Sequence, residues 1–328
     1  MGDRSFERRK AAVTGAGGFI GHAICRRLRA DGAEVLGLDI NPAAAGRVRA
    51  TGAAFVEADV THEEALRGAL HDADLVVHTA AHVREWGSMD DFIRVNVAGT
   101  AKVLDAAADA GAERVVHLSS VVVYGYESPS EQDERAFRRA HGIPYIDTKS
   151  ASDRLACRRG AVVIRPGDVY GPGSVPWTLR PLQMAKNGQL AVPGRGDGRM
   201  LPLYIDDLAE AVALALAGGE PGRAYTVWDD TSQVTFEEHF NRLARFAGRR
   251  DARRLPRPVL ELAGLATERW AKLHGKPPAF TARAATFIDR RGTASAANAR
   301  DGLGWEPRVS YEEGMQRTEA WLRSEGLI

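Results

Sequence analysis

The stretch Ala11-Ala12-Val13-Thr14-Gly15-Ala16-Gly17-Gly18-Phe19-Ile20-Gly21 decides how the rest of this chain is read. Ala11 to Thr14 is short, uncharged and apolar, as a buried strand requires; the glycines punctuate it, and the pattern through Ala30 is helical. In a strand–turn–helix, Gly15 permits the tight turn, Gly18 lets the backbone approach a pyrophosphate, and Gly21 lets helix and strand pack closely. The helix that opens at Phe19 and Ile20 brings N–H donors and a partial positive charge to the phosphates. A merely flexible glycine turn is the competing reading, and the elements flanking it weigh against that.

Working outward, short apolar runs alternate with helical patterns, the signature of βαβ units and a parallel sheet. Strands are expected at Glu34 to Leu38, Ala54 to Ala58, Leu75 to His78, Arg114 to Ser119 and Val162 to Arg165, with a long helix over roughly Asp90 to Ala110. Asp39 closes the second strand about 20 residues after the glycines, where a carboxylate accepts both adenosine ribose hydroxyls and repels a 2′-phosphate. That favours NAD over NADP, with Arg47 and Arg49 weighing the other way. Asp59, after the third strand, suits either the adenine amine or a cap for a helix starting near Thr61. Thr79, Ala80 and Ala81 follow the fourth strand and leave room for a dinucleotide across the strand ends. His78 and His82, an i, i+4 pair without a third ligand, read as structural, and no metal is expected.

Beyond Arg165 the texture changes to loop punctuation at Pro166-Gly167, Gly171-Pro172-Gly173 and Gly194 to Gly198. A strand at Leu203 to Ile205 and a helix from Asp206 to Ala217 follow. The expected division is a nucleotide-binding domain of residues 1–170 plus about 201–226, interleaved with a smaller substrate domain of about 171–200 and 227–328.

Charge and cysteine usage narrow the class. Forty-four Lys and Arg against 43 Asp and Glu leave a net charge of +1, which gives no reason to expect nucleic acid or a membrane as main partner. No run of about 18 apolar residues is present, and the run from Ala11 is too short for a secretion signal. Cys25 and Cys157 lack CxxC spacing, so neither a disulfide scaffold nor a zinc site is expected, and a reducing cytoplasm is the default.

Tyr145-Ile146-Asp147-Thr148-Lys149 places a phenol and an ammonium one helical turn apart. A phenol of ordinary pKa about 10 is a poor acid–base at neutral pH, and a nearby ammonium favours the phenolate. Downstream of a glycine-rich turn and the Ser119-Ser120 strand end, this pair points to proton transfer at an alcohol or ketone and to a nicotinamide-dependent enzyme.

Thr14 to Gly21, His78-Thr79-Ala80-Ala81, Asn96-Val97-Ala98-Gly99-Thr100, Ser119 to Gly125, Tyr145 to Lys149 and Arg165 to Pro172 occur in this order. Together they resemble the extended short-chain dehydrogenase/reductases, the NAD-dependent epimerase/dehydratase superfamily, over nearly the whole chain. The resemblance implies an α/β fold, a Rossmann-type doubly wound parallel sheet of seven strands, and a Ser-Tyr-Lys catalytic set. Position by position, Tyr145 becomes the acid–base and Ser120 polarises the substrate oxygen. Lys149 binds the nicotinamide ribose and lowers the Tyr145 pKa, while Asn96 supports the cofactor or an active-site water. The cofactor-binding set is Gly15, Gly18, Phe19, Ile20, Gly21, Asp39, Ile40, Asp59, Val60, Thr79, Ala80, Ala81, Asn96, Tyr145, Lys149, Pro166 and Gly167. A homodimer through a four-helix bundle, formed by Asp90 to Ala110 and Tyr145 to Arg159, is also implied.

For the substrate, two features count. Sugar-nucleotide members carry Asn where Asp168 stands, and a carboxylate facing a pyrophosphate is repulsive; their second-domain Arg is replaced by Met200, with Arg199 one position off. Pro256 to Leu265, Pro277 to Arg283 and Leu303 to Pro307 resemble the ends of 3β-hydroxysteroid and sterol dehydrogenase-like members. Trp177, Met184, Trp228, Trp270 and Phe280 are candidate walls of an apolar pocket, or ordinary core. Val121-Val122 stands where dehydratases have an acidic pair. The leading expectation is an NAD-dependent interconversion of a secondary alcohol and ketone on a hydrophobic, sterol-like small molecule. A nucleotide-sugar 4-epimerase comes next, and a non-catalytic dinucleotide sensor is third.

Overall fold

The computed structural model describes residues 6–84, 86–125, 130–136, 141–276, 278 and 280–328. Its strands are β1 (Lys10–Thr14), β2 (Glu34–Asp39), β3 (Ala54–Glu57), β4 (Leu75–His78), β5 (Arg114–Leu118), β6 (Val162–Pro166), β7 (Asp168–Tyr170), β8 (Ala191–Pro193), β9 (Pro202–Tyr204), β10 (Ala224–Val227) and β11 (Arg253–Leu255). Seven of them form one sheet in the order β10-β6-β5-β4-β1-β2-β3, every pairing parallel. Helices cover both faces, so the central strands β4 and β6 are buried along their whole length, whereas the edge strand β3 is largely exposed. The order turns back at β1, whose two neighbours are β2 and β4, and that reversal opens a crevice at the strand ends.

The differences from the expected elements are local. β3 stops at Glu57, which puts Asp59 in the following turn, and Ile205 begins the helix Ile205–Gly218 rather than ending a strand. β10, four residues of Ala-Tyr-Thr-Val, supplies the seventh strand and carries no alternation to mark it. The helix expected from Asp90 begins at Met89, where Ser88 caps it by accepting the Asp91 N–H at 3.2 Å. It is irregular inside: Met89–Phe92 is α-helical, Ile93–Gly99 is π-helical, and Thr100–Asp109 is α-helical again.

Outside the main sheet, β7 pairs with β9 and β8 with β11, each in parallel. One core joins this region to the sheet, through Tyr170, Trp228, Phe236, Trp305 and Met315. Trp305 is fully buried and donates from Nε1 to the Asp207 carbonyl at 3.0 Å. The Asp207 carboxylate accepts the Arg308 and Val309 N–H groups, both at 3.1 Å, which fastens the C-terminal turn to the helix Ile205–Gly218.

Candidate functional site

The glycines are fixed by what a side chain would strike. Gly15 has φ +69°, and a Cβ there would lie 2.9 Å from Ala80 N and Thr79 Oγ1, on the loop after β4. At Gly21 it would meet the Gly15 carbonyl oxygen at 2.2 Å. Gly17 is equally constrained, with Ala44 Cβ at 2.4 Å and Asp39 Oδ2 at 2.9 Å from a built Cβ. Gly18 is the exposed one: it caps the helix Phe19–Ala30 without any side-chain bond. The first-turn N–H groups thus have no side-chain cap among the described residues, which leaves them available to an anion.

Asp39 Oδ2 accepts the Gly17 N–H and Oδ1 the Asn41 N–H, both at 2.9 Å, so the carboxylate sits beside the glycine turn with lone pairs left for ribose hydroxyls. Arg47 approaches the same turn, donating to the Gly17 carbonyl at 3.4 Å. Asp59 Oδ1 accepts the Thr61 N–H at 2.8 Å in a tight turn, before a helix that starts only at Glu63. Ile40 is 63 % exposed and Val60 is buried. Thr79 Oγ1 donates to the Thr14 carbonyl at 2.7 Å, and Ala80, whose N–H donates to Thr14 Oγ1 at 3.3 Å, runs against Gly15, with Ala81 next in the chain.

Asn96 lies in the π-helical segment and ties three elements together. Its Oδ1 accepts the His82 N–H at 2.6 Å, and its Nδ2 donates to the His82 carbonyl at 3.2 Å and to Thr148 Oγ1 at 3.1 Å. His78 is buried with Nδ1 2.8 Å from Thr14 Oγ1 and Nε2 3.0 Å from Thr100 Oγ1, which is the structural role. Among the described residues, no group of three or more His, Cys, Asp or Glu is placed to hold a metal.

Pro144 opens the helix Pro144–Arg158, which carries Tyr145 and Lys149 past the end of β5. Ser120, in extended backbone after β5, accepts the Val122 N–H at 3.3 Å through its hydroxyl, which lies near enough to the Tyr145 phenol to act on it. Burial pushes that phenol up to about 12, and the Ser120 hydroxyl pulls it partly back. Lys149 is buried and donates to the Leu118 carbonyl, and burial lowers it to about 8 against the opposing pull of Asp153.

Beneath the strand end sits an ion pair that the reading of the sequence missed. Arg165 and Asp153, both 0 % exposed, meet through Nε–Oδ2 at 2.8 Å and Nη2–Oδ1 at 2.9 Å. Asp153 also accepts from Ser119 Oγ at 2.7 Å, and Arg165 donates to Tyr124 OH at 3.0 Å. The available signal was a charge at the end of the apolar run Val162-Val163-Ile164-Arg165, plus an acid one turn beyond Lys149. Pro166 closes β6, and Gly167 is required by packing: a Cβ there would lie 2.3 Å from the Leu201 carbonyl oxygen.

Next to Ser120 in the chain, a cleft is lined by Val121, Val122, Tyr124, Leu201, Phe287 and Arg290. Asp168 stands behind it as the buried partner of Arg290 and accepts the Leu201 N–H at 2.8 Å. Its charge is thus compensated, and the repulsion expected against a pyrophosphate does not hold. The candidate aromatic walls divide. Trp177 stacks on Phe287 at 5.6 Å, whereas Trp228 is core, donating to the Ala294 carbonyl at 2.7 Å. Trp270 is 50 % exposed and stacks on His274, on the outer surface.

Residues 11–227 match the model of the NAD dependent epimerase/dehydratase family. A 2-alkyl-3-oxoalkanoate reductase of Stenotrophomonas maltophilia is 30% identical over 95% of this chain and 98% of its own. A dTDP-glucose 4,6-dehydratase of Streptomyces niveus is 29% identical over 95% and 92%. Among solved structures, the dTDP-glucose 4,6-dehydratase DesIV of Streptomyces venezuelae, with NAD bound, superposes with TM-score 0.77 at 26% identity, covering 96% of this chain and 97% of its own. The seven-stranded sheet and the ordered motifs have the same explanation as these matches: the chain belongs to the NAD-dependent epimerase/dehydratase family and is an enzyme of the extended short-chain dehydrogenase/reductase type.

Proposed function

We propose that this enzyme interconverts a secondary alcohol and a ketone on a hydrophobic substrate, with Ser120, Tyr145 and Lys149 as catalytic residues and NAD preferred. The observation that supports the reading is the Tyr145 phenol under the influence of the Ser120 hydroxyl, next in the chain to a cleft that Val121, Val122, Leu201 and Phe287 line together with Tyr124 and Arg290. When bound, the nicotinamide supplies the hydride donor or acceptor. Ser120 holds the substrate oxygen and Tyr145 exchanges its proton. A phenol near 12 holds its proton at neutral pH, which suits donation to a nascent alkoxide. The reverse step needs the Lys149 ammonium to leave the Leu118 carbonyl and face the phenol. Gly15, Gly18, Phe19, Ile20 and Gly21 would hold the pyrophosphate, and Asp39 the adenosine ribose. Ile40, Asp59, Val60, Thr79, Ala80, Ala81, Asn96, Pro166 and Gly167 would complete the cofactor bed.

The division into a cofactor domain (1–170 and about 201–226) and a substrate domain (about 171–200 and 227–328) belongs to the same proposal. So does a homodimer through the helices that follow Ser88 and begin at Pro144, which light scattering in solution checks. Nucleotide-sugar 4-epimerisation is the second reading, favoured by Arg290, which neutralises Asp168 at the cleft.

The deciding experiment follows reduced nicotinamide across 3β-hydroxysteroids, long-chain 2-alkyl-3-oxo acids and UDP- or dTDP-sugars, each with both cofactors. Net redox turnover of an apolar substrate is expected, and Tyr145→Phe should lower it about 10²- to 10⁴-fold while NAD binding survives. Sugar interconversion without net reduced cofactor would replace this reading by the second. Because Arg47 reaches the Gly17 carbonyl, NADP is the informative control: turnover faster with NADP overturns the preference drawn from Asp39.

A further inference from the structure

The helix Arg257–His274 is amphipathic in the unexpected sense. Its inward face is made of small contacts: Leu260, Gly264 and Ala271 are buried, and a Cβ on Gly264 would lie 2.2 Å from Ala282 N of the helix Ala282–Ile288. At roughly 100° per residue, Val259, Leu262, Ala266 and Leu273 fall together on the pole opposite Gly264, with Trp270 at its rim. These are exposed: Val259 49%, Leu262 67%, Trp270 50% and Leu273 83%. An outward apolar stripe of this length is not the normal scatter of surface leucines.

Charge sorts the possible partners. Residues 249–276 hold eight Lys and Arg against three Asp and Glu. Arg269 and Lys272 are exposed along one flank of the stripe, Lys276 is exposed just past the helix end, and Arg249, Arg250 and Arg253 are exposed in the segment leading to it. Of the eight cations, Arg254 is paired with Glu237 and Arg257 with Glu261, and Glu268 accepts the Ala282 N–H at 2.9 Å, which leaves Arg249, Arg250, Arg253, Arg269, Lys272 and Lys276 to set the charge of this face. The chain's balanced net charge therefore averages over a strongly basic, apolar face. A second copy docked through this face about a two-fold axis would set these cations against themselves. An anionic lipid surface accepts both the stripe and its flank.

We propose that the outward pole of this helix is a docking face for an anionic lipid surface, lying in the interface and not crossing it. Among the described residues no helix is long and apolar enough to span a membrane. The docking helix packs on Ala282–Ile288, whose Phe287 lines the substrate cleft. This arrangement sets the cleft close to a lipid reservoir and, resting on the reading of an apolar substrate, lets the enzyme draw that substrate from the bilayer.

The test is co-sedimentation of the full chain with phosphatidylcholine vesicles, with and without phosphatidylglycerol. Binding is expected to the anionic vesicles, to weaken with salt, and to fall at least about ten-fold in Leu262→Glu/Leu273→Glu. Arg269→Glu/Lys272→Glu should lose binding with no change in thermal unfolding. Absence of vesicle binding, or binding indifferent to both variants, overturns the proposal. So does a dimer in light scattering that the Leu262→Glu/Leu273→Glu variant abolishes, because the occupant is then a second copy. Vesicle binding that persists when no apolar substrate is turned over would sink the functional reading and leave this one standing.

Discussion

Burying Asp153 with Arg165 commits two charges to an environment where neither is tolerated alone. The desolvation cost is offset only because both carboxylate oxygens meet the guanidinium and the remaining capacity is used by Ser119 and Tyr124. Asp153→Asn leaves the buried guanidinium without its counter-charge. It should cost about 3–5 kcal/mol in denaturant unfolding, more than the paired replacement Asp153→Leu/Arg165→Met. Asp153 also raises Lys149 against the downward push of burial, so in Asp153→Asn the ammonium should titrate below about 8. A double replacement as damaging as the single one would show that packing, not charge compensation, dominates here.

Among elements, the contrast between two glycines separates architecture from composition. Gly21→Ala forces a Cβ to 2.2 Å from the Gly15 carbonyl oxygen, backbone against backbone, in the turn that would hold the cofactor. It should lower stability by more than about 2 kcal/mol and abolish dinucleotide binding. Gly46, in the helix Ala45–Arg49, has nothing within 4 Å of a built Cβ, and Gly46→Ala should stabilise by about 0.5–1 kcal/mol. Unfolding midpoints for the two variants check both, and equal effects would refute the steric account. Six of the seven strands of the main sheet were legible because each is an apolar run bounded by turn residues, whereas β10 was not. The π-helical turn at Ile93–Gly99 was not, since its one extra residue leaves the apolar spacing nearly unchanged. Ser120 entered only through the family resemblance, whereas the Tyr145–Lys149 spacing was legible as a local pattern. Arg290 was not, because it reaches Asp168 from 122 residues away and no local rule links them.

Across the whole molecule, the buried histidines set the acid limit. His78, His117 and His239 are buried, and burial lowers His78 to about 3, His239 to about 4 and His117 well below its usual range. Each stays neutral in the fold while the unfolded chain takes up a proton near pH 6.5. Their contribution is whole above that pH and is lost as pH falls toward the folded values. From pH 7 to 5 the loss is about 2 kcal/mol for each histidine, a large share of an ordinary 5–15 kcal/mol. Asp207, raised by burial to about 6, works in the opposite sense over this window and offsets part of it. His117 isolates the effect: among the described residues neither ring nitrogen has a hydrogen-bond partner, and burial, the Lys149 charge and His78 at 5.3 Å all oppose its protonation. His117→Leu should therefore cost little at pH 7 and remove about a third of the stability lost by pH 5, read from urea midpoints at both pH values. If the variant loses as much stability between those values as the parent, His117 is not held neutral by its burial and the account fails.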